Sequence, residues 1–174
     1  VWGDEPCEEA AYLGDDVRVI DVWGREELAD AQGERQVIKV DRLPRFVLGL
    51  NPAVAQWRMD ARFAVKHVPS VFGAAHNNKL QLHNSFPQGV SGTIEIVGPE
   101  GWQITPARSD FKLAAGETFA KPIQITLPFD ATGGASPVRI DFVVDGERQY
   151  RFSVYRDLTV GDGQLELDTY TRLE

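Results

Sequence analysis

Three histidines, one cysteine and several adjacent carboxylates are the side chains of this 174-residue sequence best suited to chemistry. His67, His76 and His83 never come within the two-to-four-residue spacing of a zinc ligand pair, and no cysteine stands beside them. They read as solvated or turn residues; His83 falls on a polar side with Lys79 and Gln81. Cys7 would need electropositive surroundings to act as a thiolate nucleophile, yet Glu5, Glu8 and Glu9 flank it, so it reads as inert. The pairs Glu8/Glu9, Asp15/Asp16 and Glu26/Glu27 do not have the arrangement of a glycosidase, which holds two carboxyls at a fixed separation across a sugar. Adjacent acids on a strand point to opposite faces instead. Gly89-Val90-Ser91-Gly92 lacks the frame of a nucleophile elbow. No glycine-rich loop leading to a lysine marks a phosphate site. Asp130–Gly134 and Gly161-Asp162-Gly163 are oxygen-rich but lack the several spaced acids of a calcium loop, and read as turns. No catalytic residue, metal or cofactor is expected.

Aromatic rings leave one further chemistry, the stacking of sugars. Trp57 reads as a packing residue, while Trp23 sits at a strand end and Phe86 in a loop, and these two, with Tyr155, are the candidate exposed rings. Even for these three, packing competes with binding, because buried area dominates what aromatic side chains contribute.

Composition narrows the partners. The net charge is −8 with a pI near 4.9, which argues against nucleic acid or an anionic membrane as the main partner. No apolar run approaches the length of a membrane span, so no membrane insertion is expected. A single cysteine excludes an internal disulfide. Thirteen of the eighteen basic residues are arginine, a bias with no mechanism attached to it from sequence alone. The sequence opens on Val1 without a charged-then-apolar leader, and is expected to be part of a longer polypeptide.

The elements that must position these residues are strands. Residues 1–16 are acidic and carry no period; they read as a flexible lead-in or as a short helix around Glu8–Leu13. Strands are expected at 17–22, 36–40 and 45–50, and Asn51-Pro52 marks a boundary. Beyond it, Trp57, Met59, Ala61, Phe63 and Val65 alternate with polar residues and predict a half-buried strand. The same alternation runs through Leu80/Leu82, Ile94/Ile96, Ile123/Ile125/Leu127, Val138–Val144 and Tyr150–Val154. Asp145-Gly146 between the last two runs is a hairpin signal. At least six strands with one wet face must bury the other side against a second sheet, which makes a sandwich or barrel.

Asn84, Gly92, Pro99-Glu100-Gly101-Trp102, Leu113–Glu117, Pro128 and the Asp145-Gly146 hairpin together resemble a known pattern. It is that of the immunoglobulin-like accessory domain associated with α-galactosidases and other large secreted bacterial carbohydrate-active enzymes. Upstream, Val19–Arg25 and Leu43-Pro44-Arg45-Phe46-Val47 look like the β-sheet tail that commonly follows a glycosidase barrel. The expected architecture is all-β: an acidic lead-in and small β unit over 1–53, an immunoglobulin-like β-sandwich over 54–161, and an extra strand or the start of another module over 162–174. The resemblance implies a secreted or periplasmic, non-catalytic spacer whose partners are neighbouring domains of the same polypeptide. The alternative is a carbohydrate-binding module with a weak site on Trp23, Phe86 or Tyr155. The small unit is expected to pack on the sandwich through Trp23, Phe46 and Leu50.

Overall fold

Short β-branched runs between turn residues build the first part of the chain. The computed structural model describes residues 1, 3–33 and 35–161; the alternating run at Gln164–Tyr170 lies outside them. Six strands come first: β1 (Cys7–Ala11), β2 (Arg18–Ile20), β3 (Glu26–Leu28), β4 (Asp30–Gln32), β5 (Arg35–Val40) and β6 (Phe46–Leu48). They form two three-stranded antiparallel sheets, in the orders β1-β5-β4 and β3-β2-β6. The three expected strands correspond to β2, β5 and β6. The lead-in differs from expectation, because Cys7–Ala11 is neither a helix nor a loose tail. Its two glutamates and two alanines show no apolar alternation; it is a strand because β5 supplies the ladder, with Cys7 opposite Val40 and Ala11 opposite Gln36. The Gln36 amide then accepts from the Leu13 N–H and donates to the Gly14 carbonyl, holding the chain where β1 ends.

A second difference follows Asn51. Pro52–Asp60 is a helix, α1, rather than the first part of a strand. Asn51 caps it by accepting the Val54 N–H, and Pro52 occupies the first turn, where a missing N–H costs nothing. Val54, Trp57 and Ala61 recur at helical spacing and are buried, while Met59 and Val65 of the apparent alternation are exposed. Trp57 is core as expected, though from a helix. Its indole lies among Phe86, Phe111, Phe142 and Phe152, with ring centroids 5.6–6.4 Å away.

The remaining strands are β7 (Arg62–Phe63), β8 (His67–Val68), β9 (Ala75–His83), β10 (Val90–Val97), β11 (Gln103–Thr105), β12 (Arg108–Leu113), β13 (Thr118–Thr126), β14 (Gly134–Asp145) and β15 (Gln149–Val160). A five-stranded sheet, β12-β10-β14-β15-β8, faces a four-stranded sheet, β11-β13-β9-β7. All pairs are antiparallel except β15 with β8. Leu80, Leu82, Ile94 and Ile96 point inward, Lys79 is exposed and His83 half-buried, so the register read from the alternation holds. The protein is an all-β, immunoglobulin-like sandwich with a small β unit packed against it.

The turns explain the motifs. Gly116 has φ of +71°, which side-chain-bearing residues rarely adopt, and the Glu117 carboxylate accepts the Ala114 N–H across that turn. The Trp102 N–H closes the Pro99–Trp102 corner on the Pro99 carbonyl. Buried Asn84 donates to the Gln88 and Ala114 carbonyls and accepts the Phe86 N–H, tying two loops together. The hairpin at Asp145 is where it was expected. It has a three-residue loop, Gly146–Arg148, and neither Asp145 nor Gly146 takes a positive φ.

Two arginines join the pieces. On β15 the inward phase reaches Arg156, whose guanidinium donates to the Ala61 and Arg58 carbonyls and so satisfies the C-terminal end of α1. Burial lowers its pKa. In the β14–β15 loop, Arg148 lies over the rings of Tyr12 (4.9 Å) and Tyr150 (5.1 Å). It also pairs with Asp15 at 2.6 Å and donates to the Tyr12 hydroxyl. This is the junction between the small unit and the sandwich. The expected contact residues are not its centre: Trp23 and Phe46 are exposed, and Leu50 lines a groove between the small unit and β15.

Candidate functional site

The three candidate rings are not brought together. Phe86 is 5% exposed, wedged against Trp57 and Tyr150, because Asn84 and Ser85 anchor its loop to the body of the domain. Its expected exposure is corrected: the ring fills core and offers no face to a ligand. Trp23 is 65% exposed in the turn after β2, with the Arg25 guanidinium 5.4 Å from its ring centroid. Asp21 shapes that turn by accepting the Trp23 and Arg25 N–H groups. The depression beside it holds about 160 Å³ and is bounded by Val19, Glu27 and Pro44.

Tyr155 is 56% exposed on the outer face of β15 and borders a larger cleft of about 410 Å³ between the sandwich and the small unit. Four arginines from four elements line this cleft: Arg35 of β5, Arg58 of α1, Arg139 of β14 and Arg151 of β15. Strand pairing sets their places, with Arg139 opposite Tyr155, Asp141 opposite Ser153 and Val143 opposite Arg151. The Asp141 carboxylate accepts from Ser153 Oγ at 2.6 Å and from Arg139 Nε at 3.1 Å. Arg151 is held by Gln149 through Nε and Nη2. On its other side Tyr155 meets an apolar groove of about 390 Å³ lined by Leu13, Ile38, Val47 and Leu50.

The other sequence candidates stay apart. His76 Nε2 lies 2.8 Å from the Val71 carbonyl, and His83 Nδ1 lies 3.4 Å from Thr118 Oγ1. His67 sits on β8. Cys7 is exposed and free at the start of β1. Among the described residues, no three histidine, cysteine or acidic side chains gather as a cation site. Sequence reading missed the arginine cleft, since its members are spread from residue 35 to residue 151. The signal that pointed to it was the excess of arginine over lysine.

Residues 77–144 match the family model described as the NPCBM-associated, NEW3 domain of alpha-galactosidase. The central part of the sandwich is therefore similar to an accessory domain associated with α-galactosidases. The resemblance carried by Asn84, Pro99–Trp102 and Leu113–Glu117 is borne out. The matched stretch runs from within β9 to the penultimate residue of β14 and contains none of the arginines contributed by the small unit, α1 or β15. Among curated proteins, none matches the chain. A solved structure, the ASH/PapD-like domain of human CEP192 (PapD-like domain 7), superposes with a TM-score of 0.34 at 12% identity, covering 59% of this chain and 87% of that one.

Proposed function

We propose that this region is a non-catalytic spacer of a larger secreted or periplasmic protein, holding neighbouring domains of the same polypeptide at a fixed distance and orientation. The observation that carries the reading is the junction at Arg148. Stacking between two tyrosines and an ion pair to Asp15 join the small unit to the sandwich, which supports reading the two as one stiff body. The similarity to an accessory domain supports it, as do the large apolar side chains left open on the small sheet. Leu28, Phe46 and Leu48 share one face of β3-β2-β6, and exposed apolar clusters of this kind mark contact surfaces. The carbohydrate-binding alternative needs a platform of rings. Phe86 is buried, and Trp23 and Tyr155 border different depressions, so among the described residues the three candidate rings form no such platform.

The test has two arms. The chain is expected to hydrolyse no glycoside and to bind neutral oligosaccharides from plant and algal polysaccharides no tighter than about millimolar, near −4 kcal/mol. Spin labels at Glu27→Cys and Asp130→Cys, in a Cys7→Ser background, are expected to give a narrow distance distribution by pulsed electron resonance. A broad distribution would sink the stiff spacer, and a micromolar titration by a neutral oligosaccharide would promote the binding module.

A further inference from the structure

The cleft beside Tyr155 concentrates positive charge on a protein whose net charge is −8. Among its described lining residues are four arginines and one carboxylate, Asp141, which is already engaged by Arg139 and Ser153. Arg35 is paired through its backbone in the β4–β5 ladder, while its guanidinium makes no hydrogen bond or ion pair to another described residue, and Arg151 is steered by Gln149 through only part of its fork. Planar guanidinium forks match carboxylate and sulfate oxygens two at a time. The Tyr155 ring stands directly across the strand pair from Arg139, giving a flat apolar face beside the forks. A volume of about 410 Å³ suits a short ligand segment rather than a folded partner. Densely charged polyanions such as nucleic acid are disfavoured by the net charge of −8, whereas a glycan with one anionic group per ring can place a few charges locally.

We propose that this cleft binds an anionic oligosaccharide, with its carboxylate or sulfate groups on Arg35, Arg139 and Arg151 and a sugar face on Tyr155. The site is built jointly by the small unit and the sandwich, so it exists only while the two are docked. It adds to the spacer role and shares with it the docking of the two units, which the distance measurement above reads separately from glycan binding.

Calorimetric titration of the full chain tests the proposal with four probes of matched length: an oligogalacturonate, a sulfated galacto-oligosaccharide, a neutral galacto-oligosaccharide and an oligoglutamate peptide. At low salt, at least one anionic glycan is expected to bind tenfold or more tighter than the neutral one, and to weaken at least fivefold at about 0.5 M salt. The two anionic arms decide whether carboxylate or sulfate is the preferred group. Arg35→Glu with Arg151→Glu is expected to abolish binding. Tyr155→Ala should weaken it at least threefold, and Trp23→Ala should leave it unchanged. Should the charge-reversed variant fail to fold, the salt dependence and Tyr155→Ala still decide. Equal binding of neutral and anionic glycans, equal or tighter binding of the peptide, no binding by either anionic glycan, or indifference to the Tyr155 substitution would each overturn the proposal.

Discussion

Arg148→Ala removes the side chain that touches both units at their junction, and its effect follows from the contacts it loses. Two cation–π contacts at a solvent-facing site contribute about 0.5–1 kcal/mol each. The hydrogen bond to the Tyr12 hydroxyl contributes about 1 kcal/mol. The ion pair with Asp15 contributes at most about 1 kcal/mol, because both partners are largely open to water and salt screens them. These contacts share one side chain and are not additive, so about 2 kcal/mol is the working figure. That corresponds to about a thirtyfold rise in the open population of the small unit. Native-state hydrogen exchange reads it directly. Amides of buried Val37 and Ile38 on β5 are expected to exchange about thirtyfold faster, while those of Ile140 and Phe142 on β14 stay protected. Unchanged exchange on β5 would show that the arginine does not hold the junction. An equal rise on β14 would show that the units do not open separately.

Further outcomes can be stated. The hydrogen bond from Arg148, with burial opposing it, holds the Asp15 carboxyl below its ordinary value of 3.8. Its share of stability is therefore complete above about pH 4 and is lost as pH falls through the lowered value; in Asp15→Asn this acid-side loss should vanish from the pH profile of the junction's opening, with less than about 1 kcal/mol lost at neutral pH. Arg156→Met keeps the stem but leaves the Ala61 and Arg58 carbonyls without their donor. Relief of the buried charge offsets part of this, and calorimetry should find a loss of about 2 kcal/mol and a Tm lower by roughly 4–8 °C. Leu82→Ala empties a site on the inner face of β9 and should cost about 2–5 kcal/mol by urea denaturation. Gly92→Ala would set a Cβ 1.9 Å from the Val143 carbonyl oxygen, and a loss of about 3 kcal/mol or failure to accumulate folded protein is expected.

The sandwich was legible because its strands are wetted on one side, so Leu80/Leu82, Ile94/Ile96 and Val138–Val144 alternate without interruption. The same test misled at Trp57–Val65. Asn51-Pro52 is a helix start as well as a boundary, and Val54, Trp57 and Ala61 fit a helix face equally well; the cap decided. β1 was hidden because an acidic, alanine-containing edge strand is specified by its partner and not by its own pattern. Phe86 looked like a loop ring, but the loop is pulled inward by the side chains of Asn84 and Ser85, a tertiary effect with no local trace. The arginine cleft exists only where the small unit, α1 and the β14–β15 pair meet.

The strands that terminate the sandwich's sheets are mostly short. β7 and β8 span two residues each and β11 three, while the six-residue β12 carries Arg108, Asp110 and Lys112 on its outward side. A sheet border of this kind offers another chain little unpaired backbone to extend, and where it does, it sets charge in the way. The borders of the β3-β2-β6 sheet are equally short but carry exposed Leu28, Phe46 and Leu48 in place of charge. Self-association at high concentration should therefore begin on the small unit, and Phe46→Lys should raise solubility more than any change on β12.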